Sequence, residues 1–264
     1  ILISIKKFFF VIKKNSYNFN SNFKKYSKWY FLHMINLQIF DFVDKYLIKI
    51  FMGPVALAIF SIPYQLAGKI TIFSKSISAV LLPEIAHGKE KLNFNNAILI
   101  YTFLIPVILL FIFPILDELL ILWLSDQYSD NILNLTKVFL IVSWISGISH
   151  ILITYYEAKK RLKFNTLLEL YFIIPFLILL LFIVFRFENL IFISYVLLIK
   201  EIFLLFFRTY KIKEKIHSLW IIYLNVIIIL MNLLVSIYFN NLYFYSFILL
   251  ILLNSAFFLK KAKK

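Results

Sequence analysis

The sequence has no cysteine, few glycines and prolines, and little charge. Its 264 residues include 4 Gly and 6 Pro, and 16% of them are charged, against about 25% in soluble domains. Without cysteine these residues offer no disulfide, Cys-ligated zinc, iron–sulfur cluster or thiol nucleophile. What remains is 62% hydrophobic, with 31 Phe and 16 Tyr. A water-soluble fold cannot bury that much apolar surface, so we predict a membrane protein.

Motifs for nucleotide and metal chemistry are also missing. The histidines are scattered without HExxH or HxxxH spacing, and no GxxxxGK[ST] or GxGxxG loop occurs. We therefore expect no cofactor, no bound metal and no enzyme activity, and we interpret His33 and His150 as hydrogen-bonded core residues. The net charge of +15 would suggest nucleic acid in a soluble protein. In a membrane protein basic loops explain it, so we expect no nucleic-acid partner.

Long apolar runs predict an all-α fold, a polytopic membrane protein with about eight transmembrane helices. Each run approaches or exceeds the roughly 20 residues that cross a bilayer. A basic N-terminal stub, residues 1–12, precedes them. The predicted spans are Trp29–Phe51, Pro54–Leu82, Ala97–Leu124, Ile132–Tyr156, Thr166–Phe185, Asn189–Phe207, Leu219–Phe239 and Leu242–Leu259.

The basic residues fall in alternate loops. The predicted inner segments contain lysine and arginine clusters within residues 6–28, 89–91, 159–163, 208–215 and 260–264, whereas the outer loops contain Arg186. Because cytoplasmic loops carry the excess of Lys and Arg, this pattern predicts that the first predicted span runs outward and that the C-terminus is cytoplasmic.

Charged residues inside the first predicted span mark a candidate site. Gln38, Asp41, Lys45 and Lys49 recur at spacings of three and four, so they share one helix face. Charges within a span are costly and usually face a bundle interior or a water-filled cavity. Asp41, near the predicted mid-membrane plane, could exchange a proton or hold a cation there. A structural ion pair between Asp41 and Lys45 is the alternative.

The second predicted span has a polar face of its own. Ser61, Gln65 and Lys69 align at i, i+4 and i+8, and Lys75 lies near this line. Lys69 is too deep to reach the outer surface easily, whereas Lys75 could extend its ammonium group to the inner surface instead. We predict that the first two spans are neighbours and that their polar faces meet across a hydrated space.

Other charges are harder to place. Lys200 and Glu201 lie midway along the sixth predicted span and point about 100° apart. They therefore do not pair optimally with each other, and we expect a partner on another helix, which the sequence does not identify. Glu169, near the end of the fifth span, is expected at the membrane interface, and Arg208 is counted among the loop residues.

One long run resembles a known family. FDFVDKYLIKIFMGPVALAIFSIPYQLAGKI, followed by a polar helix ending in LLPEIA, resembles the start of the C-terminal lobe of bacterial polysaccharide flippases. These O-antigen (lipid-linked oligosaccharide) translocases are related to multidrug and toxin extrusion transporters. The family pattern is an acidic–basic pair, a Gly-containing turn, and a helix with a Tyr and a terminal Pro. The matching residues here are Asp44, Lys45, Gly53, Tyr64 and Pro83.

The resemblance continues through the Trp144 helix and the turn YYEAKKRLKF, and covers roughly residues 24–207. It implies two six-helix lobes around a central cavity, with an N-terminal lobe that is missing from this chain. On that basis the chain divides into the end of a preceding helix plus a cytoplasmic loop (1–28), the six-helix C-terminal lobe (29–207), and two accessory helices with a basic tail (208–264). Where the family has Arg, Lys45 keeps the charge but not the bidentate phosphate clamp.

The resemblance implies that the protein flips an undecaprenyl-pyrophosphate-linked oligosaccharide across the bacterial inner membrane for surface polysaccharide biosynthesis. Its partners would be that substrate, the membrane lipids and the N-terminal lobe. The candidate substrate-binding residues are Lys69, Lys45, Lys75 and Gln65, and the candidate ion-coupling residues are Asp41 and Asp44.

Two alternatives remain open. A cation-coupled drug antiporter of the same superfamily is disfavoured by the excess of lysine within the spans. An integral-membrane glycosyltransferase or polymerase is disfavoured by the short outer loops.

Overall fold

The computed structural model describes residues 21–88 and 90–212, where all regular structure is helical. The stub at residues 1–12 and the last two predicted spans, Leu219–Phe239 and Leu242–Leu259, lie outside the described residues. The helices are α1 (Ser21–Gly68), α2 (Thr71–Ala86), α3 (Glu90–Leu124), α4 (Asp130–Ala158), α5 (Leu162–Phe187) and α6 (Leu190–Lys211). A short 3₁₀ turn, Ser125–Gln127, joins α3 to α4.

Four of the helical stretches are long and apolar enough to cross a membrane: Tyr26–Gly68, Asp130–Ala158, Leu162–Phe187 and Leu190–Lys211. The bent pair Phe94–Leu109 and Phe111–Gln127 makes a fifth if it is counted as one span. The structure therefore confirms an all-helical polytopic membrane protein. The count of eight spans and the two-lobed architecture stay predictions.

Helix α1 is two helical segments that meet at Gly53, the boundary between the first two predicted spans. Gly53 has φ 87° and ψ 174°, which is not helical, and Pro54 follows it directly. Tyr64 contacts Asp41 and Lys45, although a straight helix would place residues 23 positions apart at about 35 Å. The chain therefore turns back at Gly53, and the two segments run side by side.

The second predicted span is interrupted at Lys69. Helix α1 ends at Gly68 and α2 begins at Thr71. Across the break the backbone N–H groups of Lys69, Ile70, Ile72 and Phe73 donate three residues back rather than four. The Thr71 hydroxyl also donates to the Gly68 carbonyl at 2.7 Å. Such tighter turns keep the backbone groups hydrogen-bonded, as an apolar environment demands.

Helix α3 bends by 47° between Phe94–Leu109 and Phe111–Gln127. Pro114 lies four residues after the junction at position 110. A proline removes the hydrogen bond to the carbonyl four residues earlier, and its ring clashes with that carbonyl. The bend is therefore placed by Pro114.

Helix α4 is the centre of the bundle and contacts all five other helices. In its most apolar window 83% of the residues are buried. Small residues allow this close packing, as is common between membrane helices. At Gly147 an added Cβ would lie 1.7 Å from the Tyr101 hydroxyl oxygen of α3, so only glycine leaves room for that ring.

The segment of α1 before Gly53 runs in the same direction as α5, and α6 runs against both. Asn36 of α1 donates to the Thr166 carbonyl of α5, and further along both helices the Phe51 and Phe185 rings lie 4.5 Å apart between centroids. Alternating spans require the first and fifth to be parallel, so the arrangement agrees with the predicted alternation. The helix directions do not determine which end of the bundle faces the cytoplasm.

Candidate functional site

Tyr64 connects the polar faces of the first two predicted spans. Its hydroxyl donates to Asp41 Oδ1 at 3.3 Å, and its ring lies under the Lys45 ammonium nitrogen, 4.1 Å from the centroid. Lys45 Nζ donates to the main-chain carbonyl of Asp41 at 2.8 Å. The structure thus confirms that the two spans are neighbours, while the hydrated space between their polar faces stays a prediction. The bond that Lys45 Nζ makes is to the backbone of Asp41 rather than to its carboxylate.

The other predicted site residues are one buried carboxylate and three exposed polar residues. Asp44 is buried, and its Oδ1 accepts the Lys45 backbone N–H at 2.8 Å. Lys69 lies at the break between α1 and α2 and is exposed. Gln65 and Lys75 are also exposed, on the last turns of α1 and the first turns of α2. The roles predicted for these residues remain hypotheses.

A buried hydrogen-bonded ionic cluster, the ionic layer, joins α1, α5 and α6. It consists of His33, Asn165, Glu169 and Arg208, each at most 3% exposed. The Glu169 carboxylate bonds His33 Nδ1 at 2.8 Å and accepts Arg208 Nη2 at 2.9 Å. Asn165 donates to Glu169 at 2.9 Å and accepts Arg208 Nε at 2.8 Å. The layer satisfies a buried carboxylate with several donors at once.

The ionic layer corrects one expectation: Arg208 is not a loop residue but is buried within α6. Glu169, expected at the membrane interface, is buried between helices. A charge can be accommodated there because its partner and additional hydrogen bonds replace water. The prediction that His33 is a hydrogen-bonded core residue is confirmed. His150 is hydrogen-bonded as predicted, with Nδ1 3.1 Å from Ser78 Oγ, but it is half-buried and lines a cleft rather than the core.

A second cluster, the aromatic layer, consists of Phe40 on α1, Phe176 on α5 and Lys200 on α6. The Lys200 ammonium nitrogen lies 4.7 Å from the Phe40 ring centroid and 5.3 Å from that of Phe176. It also pairs with Glu201 Oε1 at 3.1 Å. Lys200 and Glu201 do pair with each other, because the four-carbon lysine stem is long enough to bend back to its neighbour. The expected partner on another helix is found for Lys200, in the rings of Phe40 and Phe176.

The two layers repeat the same three-helix pattern two turns apart. Phe40 follows His33 by seven residues on α1, and Phe176 follows Glu169 by seven on α5. On antiparallel α6, Lys200 precedes Arg208 by eight. These spacings put roughly 10–12 Å along the helix axes between the layers. Each layer therefore links one cation of α6 to both α1 and α5.

A cleft of about 120 Å³ opens between α1, α4, α5 and α6, bordered by both layers. Its apolar walls include Leu37, Ile153 and Leu204. Its polar lining consists of Asp41, Ser146, Ser149, His150, Glu169, Lys200, Glu201 and Arg208. Asp41 is thus on a cavity wall, as one of the two sequence interpretations required. Lys45, Lys69 and Lys75 do not line this cleft.

Sequence analysis missed the ionic layer, although signals for it were present. Asn165 and Glu169 are four residues apart on one helix face, and His33 and Asn36 are three apart on another. These faces are polar within apolar helices, which marks a bundle interior. Which helix supplies the matching cation is not visible in either pattern.

Comparison with known proteins finds a distant relative. A Shigella flexneri protein described as "Putative O-antigen transporter" is 24% identical over 163 residues, which cover 59% of this chain and 38% of that protein. The chain thus matches well under half of its relative's length. No protein-family model matches the sequence, and no solved structure matches it. The chain is an all-helical, polytopic membrane protein with distant similarity to an O-antigen transporter.

Proposed function

We propose that the protein flips an undecaprenyl-pyrophosphate-linked oligosaccharide across the bacterial inner membrane, as part of a longer two-lobed transporter. The observation that carries the proposal is the similarity to the Shigella flexneri protein. The polar interior of an otherwise apolar bundle supports it, because polar residues inside a membrane typically mark a substrate or ion pathway.

Lys69 is the cation placed best to attract the pyrophosphate. It is exposed at a helix break, where its side chain is not committed to a neighbouring carboxylate among the described residues. Lys45 is less available, since its ammonium group already bonds the Asp41 carbonyl and lies over Tyr64. Gln65 and Lys75, which precede and follow Lys69 in the sequence, are exposed as well. An anionic ligand lowers the cost of a cation in the membrane interior by pairing with it.

Binding and release of ions by the ion-coupling residues would couple transport to an ion gradient across the membrane. In this proposal Asp41 and Asp44 take up protons or sodium as the two lobes rock between inward-open and outward-open states. In this proposal the described helices belong to one of the two lobes. This half of the transporter alone is expected to be inactive.

A drug antiporter is the second candidate, because the cleft is lined by carboxylates and by the Phe40 ring. The charge of the cleft argues against this function, because its lining includes two cations, Lys200 and Arg208, that would repel a cationic drug. Two of its three carboxylates are also already paired with Lys200 and Arg208.

Replacing Lys69 tests the proposed function. In the full-length protein, Lys69→Ala is expected to reduce surface polysaccharide to background in a flippase-null strain, whereas Lys69→Arg should retain part of the activity because it keeps the charge. Lys28→Ala, at an exposed lysine before the first span, is the matched control. Surface glycan and the amount of protein in the membrane are measured together.

Normal glycan display by the Ala variant at normal protein level would remove Lys69 from the mechanism. An antiporter would give a different pattern. Lys69→Ala would then be tolerated, or would raise tolerance to cationic drugs because a repulsive charge is gone. A wild-type protein that restores no surface glycan in any flippase-null strain would contradict the proposal itself.

The proposed orientation has its own test. A cysteine introduced as Lys160→Cys should resist a membrane-impermeant thiol reagent added to intact spheroplasts, because its loop is predicted to be cytoplasmic. Asp126→Cys, in a predicted outer loop, should be labelled under the same conditions. These 264 residues contain no other cysteine. The reverse labelling pattern would invert the topology.

A further inference from the structure

The charges that line the cleft are mostly neutralised by the chain itself. Arg208 lies 2.9 Å from Glu169, and Lys200 lies 3.1 Å from Glu201. The third lining carboxylate, Asp41, accepts a bond from the Tyr64 hydroxyl. Three carboxylates and two cations therefore give the lining a small negative excess. A pyrophosphate would be repelled from this cleft.

Ser149 supplies an independent sign that something polar belongs in the cleft. The residue is 2% exposed, and its Oγ has no hydrogen-bond partner within the part of the chain that the structure describes. Burying a hydroxyl without a partner is costly, so natural proteins usually satisfy such groups with a ligand or water. The neighbouring His150 uses Nδ1 for Ser78, which leaves Nε2 available.

The residues that line the cleft determine which kind of ligand it can bind. No group of three or more His, Asp or Glu residues suited to a metal ion occurs among residues 21–88 and 90–212. The volume of about 120 Å³ admits several waters or one edge of a sugar ring. Neutral hydroxyl groups fit best, since they can donate to the Asp41 carboxylate and accept from Ser149.

We propose that this cleft binds hydroxyl groups of one sugar of the transported glycan, whereas the pyrophosphate contacts the exposed lysines outside it. The inference rests on the proposed function. It assigns the glycan to the cleft and the pyrophosphate to the exposed lysines. Asp41 and Ser149 are the residues that contact the sugar. Arg208 and Lys200 hold the walls of the cleft through the ionic and aromatic layers.

Ser149→Ala is the most informative variant. Because the Ser149 hydroxyl has no partner among the described residues, its removal leaves none of them unpaired, and the folded protein should keep its membrane level. The full-length variant is compared with wild type in several flippase-null strains whose glycans differ in sugar composition. We expect the ratio of glycan display between strains to change several-fold. Ser143→Ala, on the same helix but away from the cleft, should leave that ratio unchanged.

A binding assay tests the cleft without requiring transport. In purified full-length protein carrying Ser146→Cys, a small neutral thiol reagent modifies the introduced cysteine in the cleft. The modification rate is measured with galactose, rhamnose or N-acetylglucosamine and with inorganic pyrophosphate, at a constant concentration of sodium chloride. At least one sugar should slow modification several-fold, and adding Ser149→Ala should abolish that protection. Pyrophosphate should have no effect.

The outcomes separate the two proposals. Wild-type protein that restores glycan in no strain contradicts the flippase function, while sugar protection in the purified protein would still support the cleft. If the wild type is active but Ser149→Ala keeps every display ratio and no sugar protects the introduced cysteine, the cleft is not a sugar site. Protection by pyrophosphate would place the anionic group in the cleft and would overturn the inference.

Discussion

Glu169→Ala is expected to lower the free energy of unfolding by about 3–5 kcal/mol, the usual cost of breaking a buried ion pair from one side. Glu169 is 1% exposed and bonds both His33 and Arg208. Removing the carboxylate leaves the Arg208 guanidinium buried without its counter-charge between helices. The measurement is the thermal unfolding midpoint of purified full-length protein in detergent, together with its membrane level.

A double variant and an exposed control complete this test. Glu169→Leu combined with Arg208→Met removes both charges, and its stability should recover towards wild type because no charge remains unpaired. Glu118→Ala changes an exposed glutamate of α3 and should alter the midpoint little. A Glu169→Ala protein that melts like wild type would show that the ionic layer contributes no stability.

Gly53→Ala is expected to destabilise the fold by about 1–3 kcal/mol through backbone strain alone. At φ 87° and ψ 174° the residue occupies a region that is essentially restricted to glycine. An added Cβ would meet no atom within 4 Å, so crowding contributes nothing. Because the reversal at Gly53 brings Tyr64 to Asp41 and Lys45, relaxation of the strain would also separate the polar faces of the two segments.

Gly68→Ala is the matched control for Gly53→Ala. A Cβ added at Gly68 would also meet open space, but the φ angle of Gly68 lies outside the left-handed region. Alanine there should be neutral or slightly stabilising, since it favours a helix over glycine. The unfolding midpoint should therefore fall for Gly53→Ala and stay level or rise for Gly68→Ala. Equal midpoints would mean that the Gly53 conformation is not strained for alanine.

The part of the candidate site that lies on the two segments of α1 could be predicted, because its residues are close in sequence. Asp41 and Lys45 share a face by helical periodicity, and Gly53 with Pro54 marks the boundary between two apolar runs. Two spans joined by so short a connection must be neighbours. The contact of Tyr64 with Asp41 follows from that constraint, although the sequence does not specify which side chain of the second segment makes it.

The ionic and aromatic layers could not be predicted in the same way. Their members come from three different helices, with His33 and Glu169 separated by 136 residues, and hydropathy does not encode which helices touch. Glu169 and Arg208 each resemble an ordinary residue at a span end when considered alone. Their pairing depends on the packing of α6 against α5, and Lys200 reaches α1 from the same helix.

The sequence by itself determined that this is an all-helical membrane protein and where its polar faces lie, because every residue within a bilayer must be apolar or have a polar partner. The tertiary structure decided which polar faces meet: it placed Asp41 and Ser149 in one cleft and left Lys69 outside it. Helix packing makes that choice through side-chain shape at close range, and single-helix periodicity contains no information about the partner.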